Sequence, residues 1–202
     1  MQRPSCSLHC RRWVALLMVQ AGCALAATPV VAAAPPPATT VPQPPSPARE
    51  STVKAAYLYR FGSFVEWPAS TFASPTDPLV IGVVGDDFVA SDLEQIVAGR
   101  TVDSRPVQVV RIREPQSGER VHILYLGNLR TSRLREFVPP PNVPVLLVSE
   151  RDDAPRLGSA LYFGMDGGRI RFSAAPVAAE ARGLRLSARL LTVAQHVEGH
   201  GR

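Results

Sequence analysis

Residues 78–100 read PLVIGVVGDDFVASDLEQIVAGR, and this stretch decides the fold. Its first half, Leu79 to Val84, is a short apolar run rich in β-branched residues, which predicts a strand buried on both faces. Gly82 and Gly85 end the run, and two acids follow. Asp86 is placed to cap a helix whose Val89, Leu93, Ile96 and Val97 form one buried stripe, with Gly99 as its C-cap. A strand that turns directly into a helix is the opening half of a parallel βαβ unit. The two glycines also raise the question of a phosphate-cradling loop. The spacing is only G-x-x-G, with no third glycine and no Gly-Lys-Ser/Thr, and Asp86 and Asp87 would repel phosphate. A simple turn is the better reading.

The same logic extends downstream. RTVDSRPVQVVRI (100–112) gives an edge-like segment and a strand at Val107 to Ile112, and VHILYLGN (121–128) another buried strand. LRTSRLREFV (129–138) is a short helix, Pro139 to Asn142 a turn, and VPVLLVSE (143–150) a fourth apolar strand. In SALYFGMDGGRIRFS (159–173), Asp166-Gly167-Gly168 separates two β-like runs, a hairpin signal. In AEARGLRLSARLLTVAQHV (179–197), Leu186, Leu190, Val193 and Val197 recur on one face, with Leu191 and Ala194 beside them, which predicts a terminal amphipathic helix.

Upstream lies STVKAAYLYRFGSFVEWP (51–68). Val53, Tyr57, Phe61 and Phe64 recur at helical spacing, and Pro68 stops the helix. Leu58 and Val65 lie off that stripe, so the helix is apolar on more than one side and must be covered on more than one side. Either it is buried between the sheet and a neighbouring element, or one face awaits a partner protein. The fold class that follows is α/β: three layers, a mainly parallel central sheet with helices on both faces, and an antiparallel hairpin at one edge. The domain is expected at 51–198, with a short tail at 199–202.

The first fifty residues belong to something else. A positive n-region ends at Arg11 and Arg12, an apolar run follows from Trp13, and Ala24-Leu25-Ala26 fits the small-x-small cleavage pattern. The run is too short for a comfortable membrane span, so 1–26 reads as a cleaved signal peptide and the mature protein as periplasmic. Lipoprotein processing at Cys23 is the alternative, although Gln20 stands where an aliphatic residue is usual. Residues 27–50 form a linker with eight prolines from Pro29 to Pro47 and too little bulky apolar surface to offset ordering entropy. Cys6, Cys10 and Cys23, the chain's three cysteines, all precede the cleavage site, so the mature core has no disulfide.

The formal charge of +5 falls to +2 once Arg3, Arg11 and Arg12 are removed with the signal. No arginine run is long enough to track phosphates, which argues against nucleic acid. His122 sits in an apolar strand and reads as a core imidazole. His196 and His200 have a metal-compatible i, i+4 spacing, but Gly199 and the chain end make a frayed tail the better reading. Neither G-x-S-x-G nor S-x-x-K occurs, and Asp86-Asp87 and Asp152-Asp153 read as turn caps. Neither an enzyme signature nor a cofactor site emerges.

VKAAYLYRFGSFVEWP, PLVIGVVGDD, VHILYLG, VPVLLVSE, GGRIRFS and GLRLSARLLTVAQHV occur in an order and spacing that resemble the YfiR family of periplasmic regulatory proteins. The resemblance spans about Val53 to Val197. It implies a non-enzymatic protein that binds the periplasmic domain of a membrane-bound diguanylate cyclase and holds it inactive, which controls cyclic di-GMP and biofilm. It also implies an OmpA-like outer-membrane lipoprotein as a sequestering partner, and it allows a homodimer. The chain departs from the family at Phe172-Ser173-Ala174-Ala175, where Phe-Glu-Ile-Asn is expected. At Val121 many members have cysteine, so disulfide-based redox control is not expected here.

Aromatic and arginine residues are the usual anchors of interfaces. On that basis Tyr57, Arg60, Phe61 and Phe64 on the first helix and Arg185 and Arg189 on the last are the expected partner contacts. A competing expectation is a small-ligand sensor serving a receptor kinase or transporter, with its pocket at the strand ends near Gly85, Asp86 and Ser149.

Overall fold

The computed structural model describes residues 47–115, 118, 120–150 and 152–199. The expected signal peptide at 1–26, the linker up to residue 46 and the last three residues of the tail lie outside the described residues. In chain order the elements are α1 (Pro47–Phe61), β1 (Val65–Glu66), β2 (Leu79–Val84), α2 (Asp87–Val97), β3 (Thr101–Val102), β4 (Arg105–Ile112) and β5 (Ile123–Leu126). There follow α3 (Thr131–Leu134), β6 (Leu146–Glu150), α4 (Ala154–Leu157), β7 (Leu161–Asp166), β8 (Arg169–Ala174), α5 (Pro176–Glu180), β9 (Arg185–Leu186) and α6 (Ala188–Val193).

The expected α/β architecture is present. Seven strands form one sheet in the order β3-β4-β2-β5-β6-β7-β8. The five inner strands are parallel, and β3 and β8 are antiparallel edges. The β7–β8 edge is the hairpin signalled by Asp166-Gly167-Gly168, with both glycines at positive φ. β2 sits between β4 and β5, so its apolar run serves both faces. Leu79, Ile81 and Val83 join the core beneath α1 and α2, while Val84 joins Leu124, Leu126, Leu147, Leu134 and Phe137 on the opposite side. Each such side chain contributes roughly 1.5–3 kcal/mol when fully buried.

α2 forms as its sequence dictates. The Asp86 carboxylate accepts the Val89 N–H at 3.0 Å, Val89, Leu93 and Val97 are buried, and Gly99 takes up φ +68° just past the end. At the strand-to-helix turn Gly85 has φ +73°, and a Cβ there would lie 2.5 Å from Leu129 Cγ, so only glycine fits.

Two helix expectations are corrected. α1 begins at Pro47, within the span read as linker, and ends at Phe61 rather than running to Pro68. The cause is Gly62, whose backbone lies so close to the sheet that a Cβ would come within 2.6 Å of Leu79 Cδ2. Beyond it the chain turns and extends, and Val65 and Glu66 pair with Leu186 and Arg185 as a separate two-stranded sheet, β1–β9. The buried stripe of α1 is Ser51, Ala55, Leu58 and Phe61, whereas Val53 and Tyr57 are half-buried.

The terminal helix is shorter still. Leu186 belongs to β9, Ser187 caps α6 by accepting the Leu190 N–H, and the helix stops at Val193, which is 66% exposed. The chain then runs along β8, with Gln195 N–H donating to Phe172 O and Ala174 N–H to His196 O. Val197 bridges to Ala174. The i, i+4 spacing of His196 therefore does not lie on a helix, and His200 is outside the described residues.

Candidate interaction surface

The six expected contacts divide by burial. Phe61 is 1% exposed and stands at the centre of an aromatic group. Its ring lies 6.0 Å from those of Tyr57 and Phe163 and 5.1 Å from that of Phe172. It is part of the core. Tyr57 packs in the same group and Phe64 packs against the same core, both half-buried. Arg60, Arg185 and Arg189 are exposed.

The β1–β9 pairing brings part of this set together. Glu66 faces Arg185 across the two strands, and Ser187 N–H donates to Phe64 O at 2.9 Å. Phe64, Arg185 and the start of α6 with Arg189 thus share one joint between the end of α1 and the C-terminal segment. This surface has an apolar shoulder and an arginine rim, the composition that anchors protein contacts.

A second region lies at the carboxyl ends of the strands, where β4 and β5 leave β2 on opposite sides. Open α/β sheets bind ligands at such a switch point. A hollow of about 640 Å³ there is lined by Glu50, Ser51, Lys54, Asp86, Asn128 and Glu150, among others. Ser149 is fully buried and does not contribute. One oxygen, Glu150 Oε1, accepts from Lys54 Nζ at 2.9 Å and from the Tyr125 hydroxyl at 2.6 Å. Burial, with the Glu150 carboxylate adding to it, pushes the Tyr125 phenol well above its ordinary range, so it remains a donor. On the outer side of α2, Arg111 grips Glu94 through two hydrogen bonds of 2.9 Å and reaches Asp87 at 3.1 Å. The Arg111 hydrogen bond lowers Glu94 below the usual carboxylate range. The acids beside the turn are thus committed to caps and ion pairs.

The YfiR/HmsC-like family model matches residues 51–195. The chain belongs to the YfiR/HmsC-like family. No curated protein matches it. The match takes in every described strand of the YfiR/HmsC-like domain together with α6, and ends at Gln195, where the chain begins to run along β8. None of the described helices is long and apolar enough to cross a membrane.

Lys54, Glu150 and Tyr125 were not singled out by sequence reasoning. One signal was available: Lys54 is the only lysine beside 21 arginines. Its partner lies across the fold on β6, which sequence spacing does not reveal.

His122 is a core imidazole in this YfiR/HmsC-like domain. Its Nδ1 accepts the Val80 N–H at 3.0 Å, and its ring stacks on Phe72 at 4.5 Å with Trp67 edge-on at 6.0 Å. Accepting through Nδ1 requires the neutral ring. Burial lowers its pKa below the ordinary value, with Arg120 and Arg105 acting in the same direction, while the Thr71 backbone and Asp77 oppose them. With the folded-state pKa depressed, stability is complete above about pH 6.5 and declines as pH falls from there through the folded value. The melting temperature is expected to drop between pH 7.5 and pH 5. In His122→Asn, which retains an acceptor but does not titrate, that part of the slope should vanish. An unchanged slope would place the titrating group elsewhere.

Proposed function

We propose that this protein is a non-enzymatic periplasmic regulator that binds the periplasmic domain of an inner-membrane diguanylate cyclase and represses it, and so controls cyclic di-GMP and biofilm. The observation that carries the reading is the family match over 51–195. The arginine-rimmed joint at Phe64, Arg185 and Arg189, with Arg60 exposed on α1, supports a surface that works by contact. Such a switch needs only a few kcal/mol of preference for one cyclase conformation. An OmpA-like outer-membrane lipoprotein is the proposed sequestering partner, and self-association into a homodimer is compatible with the same mode of action.

The test is deletion of the gene in its native host. Cellular cyclic di-GMP and surface attachment are expected to rise severalfold, and the full-length chain supplied in trans should restore both. A triple variant, Arg60→Glu, Arg185→Glu and Arg189→Glu, should fail to restore them while melting like the wild type. Unchanged cyclic di-GMP and attachment in the deletion strain would overturn the reading. The hollow at the strand ends would then favour the second one, a small-ligand sensor serving a receptor kinase or transporter.

A further inference from the structure

The two faces of the sheet are covered unequally. One face carries α1 and α2, of 15 and 11 residues, together with the C-terminal segment. Among the described residues the other carries α3 with the short 3-10 turn that continues it, and α4, helices of only four residues each. A mainly parallel sheet is normally roofed by helices on both sides. Here the thinly roofed face holds a groove of about 870 Å³. Its apolar lining includes Ile112, Val121, Leu124, Phe137, Val138 and Leu157, and Pro139–Pro141 form one wall.

That wall is held from behind. The Arg182 side chain, 8% exposed, donates to the carbonyl oxygens of Pro139 at 3.1 Å, Pro140 at 3.0 Å and Val143 at 3.4 Å. Prolines offer no N–H and have a fixed φ, so with their carbonyls engaged this wall is rigid and pre-organised. The charged residues of the lining are Arg135, Glu136 and Arg156, so the rim is net positive. Arg133 is neutralised by Glu136, but Arg135 and Arg156, both exposed and both lining the groove, pair with no carboxylate among the described residues.

The geometry points to this groove as the docking site for an amphipathic helix of a partner protein, one whose apolar stripe is bordered by Asp or Glu. A helix is the element that completes a missing layer on a sheet face. Anchors at i, i+3, i+4 and i+7 would fill the apolar floor, and the acidic border would meet Arg135 and Arg156. The inference goes beyond the proposed function and does not depend on the partner being a cyclase.

Two labelled peptides of about 18 residues, long enough for some 27 Å of helix, test it against the full-length chain by fluorescence anisotropy. Both carry the same leucine stripe. One is bordered by glutamate and the other by lysine. The glutamate peptide is expected to bind about tenfold tighter, a difference of roughly 1.4 kcal/mol. The double variant Arg135→Glu/Arg156→Glu should reverse the preference with the melting temperature unchanged. Val138→Asp should weaken both peptides, and Arg185→Glu/Arg189→Glu should weaken neither. Equal binding of the two peptides, or a preference that survives charge reversal at 135 and 156, would overturn the inference. So would binding of phosphatidylglycerol-containing vesicles with neither peptide bound, which would assign the rim to a membrane surface. A deletion strain with unchanged cyclic di-GMP would remove the cyclase reading and leave the peptide result standing.

Discussion

Phe61→Ala is expected to lower folding stability by about 3–5 kcal/mol, a large share of the 5–15 kcal/mol that holds a domain of this kind together. The ring is 1% exposed and sits among Tyr57, Phe163 and Phe172, contributed by a helix and the two hairpin strands. Its removal takes away transfer free energy and leaves a cavity that rigid strands cannot close. Urea unfolding of the full-length chain measures the loss. A cost below about 1 kcal/mol would show that the ring is not core and would return Phe61 to the surface contacts. Arg60→Glu, one residue away and exposed, should stay within about 0.5 kcal/mol of wild type. Loss of regulation in Phe61→Ala would therefore reflect loss of folded protein, whereas loss in the arginine variants would report contact.

The second large effect is expected at Glu150. Its Oε1 is the shared acceptor for Lys54 and Tyr125, and the Lys54 side chain is only 13% exposed. Glu150→Leu strands a largely buried ammonium and a buried hydroxyl, and should cost about 3 kcal/mol. Lys54→Met/Glu150→Leu removes the charge together with its acceptor and should recover most of that loss, because a well-packed apolar pair often matches a buried ion pair. A thermodynamic cycle over the two single variants and the double isolates the coupling. Additive losses would mean that the pair does not interact, and a nearly silent Glu150→Leu would mean that water solvates Lys54 freely.

Legibility from sequence followed the range of the interactions. The strand-to-helix unit at 79–99 could be read because each signal is local: a β-branched run, a cap three residues from the N–H it accepts, a helical stripe and a glycine stop. The hairpin at 166–168 was legible for the same reason. The end of the chain was not. Leu186, Leu190, Val193 and Val197 repeat at helical spacing, yet Leu186 is claimed by Val65 in β1 and Val197 by Ala174 in β8. Long-range pairing overrode the local period. On α1 the aromatic stripe drew attention, but the helix presents Ser51 and Ala55 to the core, with Ser51 donating to Asp92 of α2 at 2.6 Å. Small residues let the two helices approach, and the larger Tyr57 is left half in solvent. Of the six contacts read from sequence, the three arginines are exposed. Phe61 is core because it ends the buried stripe just before the close approach at Gly62.

The solitary lysine has a practical consequence for handling the protein. Amine-directed reagents have one side chain to find, and in the folded state its nitrogen is occupied by Glu150. Succinimidyl dyes and biotin esters will therefore attach at the terminal amine of the chain. Any acylation at position 54 becomes a clock for how often α1 lifts from the strand ends.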